Sequence, residues 1–369
     1  MNNFIGGRTL GILRPFKRVF DSALHGIHIA RSESELALGM KPLSPPKANI
    51  TKAKSIRKVI FAAMKYDYGS EERGPSPECV SFYDSLCSLA EVVPFDFMTL
   101  YKQHGKRKMN EMFMKEIEKE DPDLIFFLLF TEQFEKKIVK KISEESRAIT
   151  FNWFADDHWR FDNFSRYWAP CFNFCSTTDE WAFQRYRRLG YHNIIMTQWG
   201  SNEKIYKRTD IPQDIDVSFV GQAHSDRKKI IEDLRKCGIN VECFGSGWPN
   251  GRISLDEMIG IFNRSKINLN FAAASIGSSK QIKGRTFEIP ICGGFLLSEQ
   301  APYLEKYYNF GKEIDTFNST DELIEKIRYY LSHNDERKKI ARAGYERTLK
   351  EHIYKKRFQD IFSKILATS

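Results

Sequence analysis

Short apolar runs alternate with helical periods along most of the chain, and the alternation starts twice. Lys58–Ala63, Val92–Met98, Leu124–Phe130, Ile149–Phe154, Phe172–Ser176 and Ile194–Thr197 read as strands, separated by helices such as Pro77–Glu91 and Glu132–Glu145. Alternation of that kind implies a parallel sheet with helices on both faces. A second series follows at Asp216–Gly221, Val241–Gly245, Ile267–Phe271, Phe295–Ser298 and Glu313–Phe317, and three helical periods, Asp321–Ser332, Asp335–Lys350 and His352–Leu366, close the chain. At 369 residues the chain exceeds what one core usually serves. The polar, proline-bearing stretch 203–215 separates the two series. The expected architecture is α/β, with Rossmann-like domains at 55–205 and 213–350 facing each other across a cleft.

Charge separates the N-terminus from this body. Residues 1–58 hold eleven Lys or Arg against three Asp or Glu, which accounts for nearly all of the net +9. Residues 1–54 are therefore read as a basic arm. Within it Ile12, Leu13, Phe16, Val19, Phe20, Ala23, Leu24 and Ile27 keep a helical period, and a proline-rich linker follows at 41–54. Two readings are open: the helix packs on the protein, or residues 8–31 make peripheral contact with an anionic membrane. Nucleic acid is not expected as a partner, because the body is nearly neutral and carries no common recognition module.

No apolar run approaches the roughly 20 residues a spanning helix needs, and the first thirty residues lack the pattern of a secretory signal. Seven cysteines, at 79, 87, 171, 175, 237, 243 and 292, form no framework of spacings, which points to a reducing cytoplasm. Cys171 and Cys175 lie in the apolar run Cys-Phe-Asn-Phe-Cys and read as buried thiols. No metal ligand is expected.

The chemistry-bearing residues crowd into the second half. Lys283-Gly-Arg-Thr-Phe-Glu-Ile-Pro-Ile-Cys-Gly-Gly-Phe-Leu-Leu-Ser-Glu299 runs through a short helix into a buried strand, where open α/β sheets bind ligands. Lys283 and Arg285 can neutralise phosphates, and Glu288 can accept two hydrogen bonds from a ribose diol. Gly293 and Gly294 let backbone amides approach an anion. A nucleoside diphosphate group fits that set. Upstream, the strand at 216–221 ends at Gly221, and a helix begins near Ser225 with Arg227 and Lys228 in its first turn. That arrangement is either a phosphate seat or an ordinary strand-to-helix loop. The strand ending at Phe244-Gly245-Ser-Gly-Trp248 offers small residues against which a base can lie and aromatic rings to stack on it, or else a core aromatic beside a turn.

These residues resemble a known family. Phe-Val-Gly followed by Arg227, the Arg-x-Phe-Glu-Ile-Pro-x-Cys-Gly-Gly-Phe-Leu-Leu core, Asp-Glu-Leu-Ile at 321–324 and Ala-Gly-x-Glu-Arg at 343–347 look like the C-terminal half of a GT-B glycosyltransferase. The likeness is to the CgeB-like group in particular. Arg73-Gly-Pro-Ser76, Trp153-Phe-Ala-Asp-Asp157 and Thr177-Thr-Asp179 extend it more weakly into the first half. The resemblance implies a nucleotide-sugar donor on the second domain, an acceptor mainly on the first, and a C-terminal helix at 351–369 crossing back to the first domain. In the broader group a Glu-x7-Glu motif places its second Glu on the donor ribose, which is Glu288 here. The position of the first Glu, which normally contacts the sugar, is Lys280.

The expected function is glycosyl transfer to a glycan, lipid-linked or protein acceptor, with the nucleotide sugar as co-substrate and no further cofactor. Cations aimed at the departing diphosphate supply much of such catalysis. An acceptor base is sought among Asp156, Asp157 and His158 at a first-domain strand end, whose alternative role is helix capping, with His224 as a further candidate near the donor. The alternative function is a catalytically silent module that binds a nucleotide or glycan and scaffolds a complex.

Overall fold

The computed structural model describes residues 42–48, 51–129, 131–274 and 279–368. The basic helix expected within 12–31, and the membrane contact expected for 8–31, lie outside the described residues. The first domain is built on six parallel strands, β1 (Lys58–Ala63), β2 (Glu91–Asp96), β3 (Leu124–Phe127), β4 (Ile149–Phe154), β5 (Phe174–Thr177) and β6 (Ile194–Met196), in the order β2-β1-β3-β4-β5-β6. The second has β7 (Ile215–Val220), β8 (Glu242–Phe244), β9 (Ser265–Asn270), β10 (Leu296–Glu299) and β11 (Asp315–Phe317), in the order β11-β10-β9-β7-β8. Each order reverses once, between β1 and β3 in one sheet and between β7 and β9 in the other. Open sheets of this type bind ligands at the carboxyl ends of the strands flanking such a reversal.

Burial on both faces makes the sheets stable. Along β1, Val59, Phe61 and Ala63 enter one core while Ile60 and Ala62 enter the other, and all five are essentially inaccessible to solvent. Helices α1 (Pro77–Cys87), α2 (Phe97–Glu120), α3 (Lys136–Glu145) and α4 (Glu180–Arg188) cover this sheet. The second domain carries α5 (Arg227–Lys236), α6 (Leu255–Arg264), α7 (Arg285–Ile291), α8 (Thr320–Ser332) and α9 (Asn334–Glu351). The run expected to stay extended as far as Met98 turns helical at Phe97, because Asp96 caps α2 by accepting from the Thr99 amide at 3.2 Å.

The chain then returns to the first domain. Helix α10 (Tyr354–Thr368) sets Tyr354 and Phe358 on Phe82 of α1, with ring centroids 4.7 and 5.1 Å away. Its buried face, Phe358, Ile361, Phe362 and Ile365, belongs to the same core as β1. The two crossings of the interdomain boundary are stitched together: the Ser201 amide donates to the His352 carbonyl at 3.0 Å and the Tyr354 amide to the Ser201 carbonyl at 2.9 Å. A Cβ on Gly200 would stand 2.9 Å from the His352 carbonyl oxygen, so the close approach of these strands needs glycine.

The described part of the expected linker is docked on the first domain. The Leu43 amide donates to the Leu189 carbonyl at 2.6 Å, and Lys52 Nζ donates to the carbonyls of Ser143, Ser146 and Ala148 at 2.7, 2.8 and 3.0 Å. Burial lowers the Lys52 pKa to about 8.

Candidate active site

The carboxyl ends of β7 and β9 open into a cleft of about 370 Å³ between the domains, within the size range of small-molecule sites. Val220, Gly221 and Asn270 come from the strand ends, Gln222, His224 and Arg227 from the loop into α5, and Lys283, Gly284, Arg285 and Glu288 from α7 and its approach. Pro77, Glu78, Ser81, Trp199 and Tyr354 close it from the other side. Beside it lies a first-domain cavity of about 260 Å³ at the ends of β1, β3 and β4, whose walls include Met64, Leu128, Leu129, Phe154, Asp156 and Arg160. Both openings therefore sit at the reversal of strand order in their sheet.

Of the residues singled out in the sequence, Gly221, His224, Arg227, Lys283, Arg285 and Glu288 line the cleft and Asp156 lines the adjoining cavity. Asp157, Lys228, Phe244, Gly245, Gly293 and Gly294 line neither. The glycine pair is a correction with a clear cause. The Gly293 amide donates to the Pro290 carbonyl at 2.8 Å and the Gly294 amide to the Ile289 carbonyl at 3.2 Å, closing the end of α7. These amides satisfy helix carbonyls, so they are not turned towards an anion. Glycine is required there because Gly293 has φ +74° and a Cβ on Gly294 would lie 3.0 Å from the Phe262 carbonyl oxygen.

Phe244 and Gly245 are corrected in the same way. The Phe244 carbonyl accepts from the Gly221 amide at 2.9 Å, its ring packs on the second-domain core, and Trp248 donates from Nε1 to the Gly221 carbonyl at 2.8 Å. Gly245 has φ +125°, and a Cβ there would meet the Gly221 carbonyl oxygen at 2.4 Å. This stretch supports the turn after β7. Lys228 is exposed on α5, one residue beyond Arg227, which points inward and is buried.

The cations differ sharply in what holds them. Arg227 donates to three backbone carbonyls, Gln222 at 2.9 Å, Phe271 at 3.2 Å and Ala273 at 3.4 Å, and burial lowers its pKa to about 10. Arg285 donates through Nη1 to Glu288 and through Nε to the Val220 carbonyl at 3.4 Å, while Tyr206 donates to Glu288 Oε1 at 3.1 Å. Lys283 has no hydrogen-bond or carboxylate partner among the described residues. Burial and then the neighbouring Arg227 lower its pKa to about 8, against the pull of Asp156 and Glu299. It is a protonated, half-desolvated ammonium facing the cleft.

Lys283 also marks where the two walls meet. Its charge acts on Asp156 and His158 of the first domain and on His224 of the second. Burial raises the Asp156 pKa, with Arg160 and Lys283 opposing. Burial and then Lys283 lower His158 to about 3, and burial, Arg227 and Lys283 lower His224 to about 4, so both imidazoles are neutral at pH 7. Asp157 is sealed in the first domain. Among the described residues neither of its oxygens is in a well-formed hydrogen bond, and burial raises its pKa to about 7, with the nearby hydroxyls of Ser165 and then Thr177 opposing.

Lys280, where the broader group has a Glu, makes an ion pair of 2.9 Å with Glu299, whose second oxygen accepts from the Ala272 amide at 2.9 Å. Tyr206, Trp199, Glu78 and Glu299 were not singled out in the sequence. Glu78 lies two residues past the Arg73–Ser76 stretch that carries the family likeness, and Tyr206 and Trp199 are ordinary aromatics of the interdomain connection. Among the described residues no group of three or more His, Cys, Asp or Glu side chains is placed to share a metal ion.

Two parallel-sheet Rossmann-like domains around such a cleft, with the last helix returned to the first domain, define the GT-B glycosyltransferase fold. Residues 227–363 match a family model described as glycosyl transferase-like. The chain is similar to the spore protein CgeB of Bacillus subtilis, with 21% identity across 47% of this chain and 62% of that protein's length. Among solved structures it is similar to a sucrose-phosphate synthase from Thermosynechococcus elongatus, with a TM-score of 0.60 and 10% identity, covering 85% of this chain and 100% of that one. A glycosyltransferase from Rickettsia africae gives 0.58 and 14% over 85% and 100% of the two chains. HepE of Anabaena, solved with UDP and glucose, gives 0.55 and 13% over 85% and 99%.

Proposed function

We propose that the protein transfers a sugar from a nucleotide-sugar donor to an acceptor hydroxyl, and that Lys283 receives the donor's diphosphate. The observation that carries this reading is a half-buried ammonium, unpartnered among the described residues, at the mouth of a strand-order reversal between the two domains. Glu288, steadied by Arg285 and Tyr206, meets the ribose, and Arg227 holds the β7–α5 loop that shapes the diphosphate seat. The likeness to a structure solved with UDP and glucose supports a nucleotide sugar as the guest.

In the transfer, the bond from the sugar C1 to the diphosphate oxygen breaks and its electron pair leaves with the diphosphate. The acceptor oxygen bonds to C1 and its proton passes to a base. Asp156 fits that role best, since it faces the adjoining cavity and its pKa is raised towards neutrality. Asp157 is sealed off, and His224 holds a proton only below about pH 4, which makes it a weak acceptor. His224 serves instead as a neutral hydrogen-bonding group beside the phosphates.

The acceptor is a hydroxyl of a cell-envelope glycan, a lipid-linked acceptor or a protein, and we place the protein in the cytoplasm because all seven cysteines are free and four are buried. No described helix is long and apolar enough to cross a membrane, and any peripheral contact falls to residues 8–31. Incubation with UDP-, GDP- and dTDP-hexoses tests the activity: one of them raises the melting temperature and releases its nucleotide in the presence of acceptor. Asp156→Asn lowers that turnover by about a hundredfold or more and leaves nucleoside diphosphate binding intact. Binding without turnover would favour the scaffold alternative, and binding of no member of the panel ends the proposal.

A further inference from the structure

The two cavities are not separate compartments. Among the described residues two side chains line both, Glu78 and Trp199. Glu78 lies in the first turn of α1, one residue after Pro77, and Ser76 holds its carboxylate by donating from Oγ at 3.1 Å. Trp199 follows β6 where the chain leaves the first domain; its ring packs on Trp153 at 6.2 Å, and its carbonyl accepts from Arg357 Nε at 3.5 Å. Glu78 rides on a first-domain helix that packs against the returning helix α10, and Trp199 on the segment that leaves the first domain.

We infer that Glu78 and Trp199 form the subsite for the sugar being transferred. This rests on the activity proposed above and assigns a place to the part of the donor that the second domain leaves unattended. A group passing from the diphosphate seat to the acceptor cavity must cross their shared wall. A hexose presents vicinal hydroxyls on its edge and C–H groups on its faces. A carboxylate answers the first with charge-assisted hydrogen bonds, and an indole answers the second with apolar contact.

Two other carboxylates of the cavities are engaged. Glu288 is tied to Arg285 and Tyr206, and Asp67 is paired with Arg73 at 3.0 Å and Arg252 at 2.8 Å. Asp156 belongs to the first-domain cavity alone. Glu78 is exposed within the open cleft, and desolvation between the domains raises its pKa, with Glu288 and Asp67 adding to the effect. The position at which the broader group has its sugar-contacting Glu is Lys280 here, and that lysine is paired with Glu299. Glu78 supplies a carboxylate from the opposite domain. Positive charge developing at C1 during transfer is stabilised by the same group.

The test compares each nucleotide sugar of the UDP-, GDP- and dTDP-hexose panel with its free nucleoside diphosphate by calorimetry, using the full chain. In Glu78→Gln the affinity for the sugar-bearing donor falls about ten- to a hundredfold, while free nucleotide binds within about twofold of wild type. Trp199→Phe, which keeps the packing on Trp153, reduces the same preference by about threefold to tenfold. If wild type binds one donor and both variants keep its full preference over free nucleotide, the subsite is wrong and the proposed activity stands. If wild type binds no member of the panel, the activity and the subsite fall together. An equal loss for donor and free nucleotide overturns the subsite, since it would mean that Glu78 shapes the cleft as a whole.

Discussion

On the second-domain wall Arg285 is held by Glu288 and the Val220 carbonyl, and Arg227 by three further carbonyls. On the first-domain side Asp157 is buried behind the cavity without a well-formed hydrogen bond among the described residues, beside the hydroxyls of Ser165 and Thr177, and Asp156 and His158 are desolvated and shifted towards their neutral forms. Among the described residues one wall settles its charges internally and keeps a single ammonium, Lys283, open to the cleft. The other keeps titratable groups in an unsettled state. Such a division suits a reaction in which one side must hold a constant anionic group and the other must take up a proton. A platform for a diphosphate gains from fixed geometry, whereas a base gains from a pKa drawn towards the working pH.

The largest effect that can break this comparison is on Asp157. Its folded pKa of about 7 lies above the ordinary value of 3.8, so the fold prefers the protonated acid. That preference contributes fully below about pH 4 and is lost as pH rises through about 7, a change of about 4 kcal/mol. Asp157→Asn, which mimics the protonated form, should therefore flatten the stability curve between pH 4 and 8 and be the more stable chain at pH 8. Urea denaturation across that range measures it. A variant less stable than wild type by the same amount at every pH would show that the carboxylate has partners in solution, and the contrast between the walls would fail.

A pair of substitutions separates structure from function on the second wall. Arg227→Met leaves the carbonyls of Gln222, Phe271 and Ala273 without their donor and should cost about 3 kcal/mol of stability. Lys283→Met removes an ammonium that has no partner among the described residues, so the melting temperature should not fall. Nucleoside diphosphate affinity should drop by about 2 kcal/mol in the Lys283 variant. In wild type that affinity should decline above about pH 8, where the free Lys283 loses its proton, and the decline should be absent in the variant. A stability loss in Lys283→Met equal to that in Arg227→Met would erase the distinction.

Much of the fold was legible because strands buried on both faces leave short continuous apolar runs, whose length and flanking turn residues set them apart from helices. The longest described helix, Phe97–Glu120, was not, since its face towards solvent is long and polar and Gly105, at φ +75°, interrupts its period. In the site, residue type was easier to read than direction. The sequence places Gly293 and Gly294 beside Glu288, but only the backbone path shows their amides closing α7. Arg227 and Lys228 are adjacent cations, yet one points inward and is buried while the other is exposed. Glu78 and Trp199 could not be found by spacing, because they are 121 residues apart and meet only where the two cavities join.

Lys280 gives the smallest effect and the finest discrimination between the walls. By the pattern of the broader group a Glu belongs there, and Lys280→Glu would seem to restore a missing sugar ligand. The structure argues otherwise, since Glu299 already stands 2.9 Å from the Lys280 ammonium and the new carboxylate would face an existing one. The pair is partly buried, with 24% and 15% of the two side chains exposed, so its loss should cost about 1 kcal/mol. Lys280→Glu should thus lower stability slightly and leave donor turnover no higher than wild type. The exchanged pair, Lys280→Glu with Glu299→Lys, should recover part of the lost stability in a double-mutant cycle, although the exchange leaves the Ala272 amide without the carboxylate that accepts from it. Turnover that rises in Lys280→Glu would place the sugar against the second domain and remove the need for a carboxylate from α1.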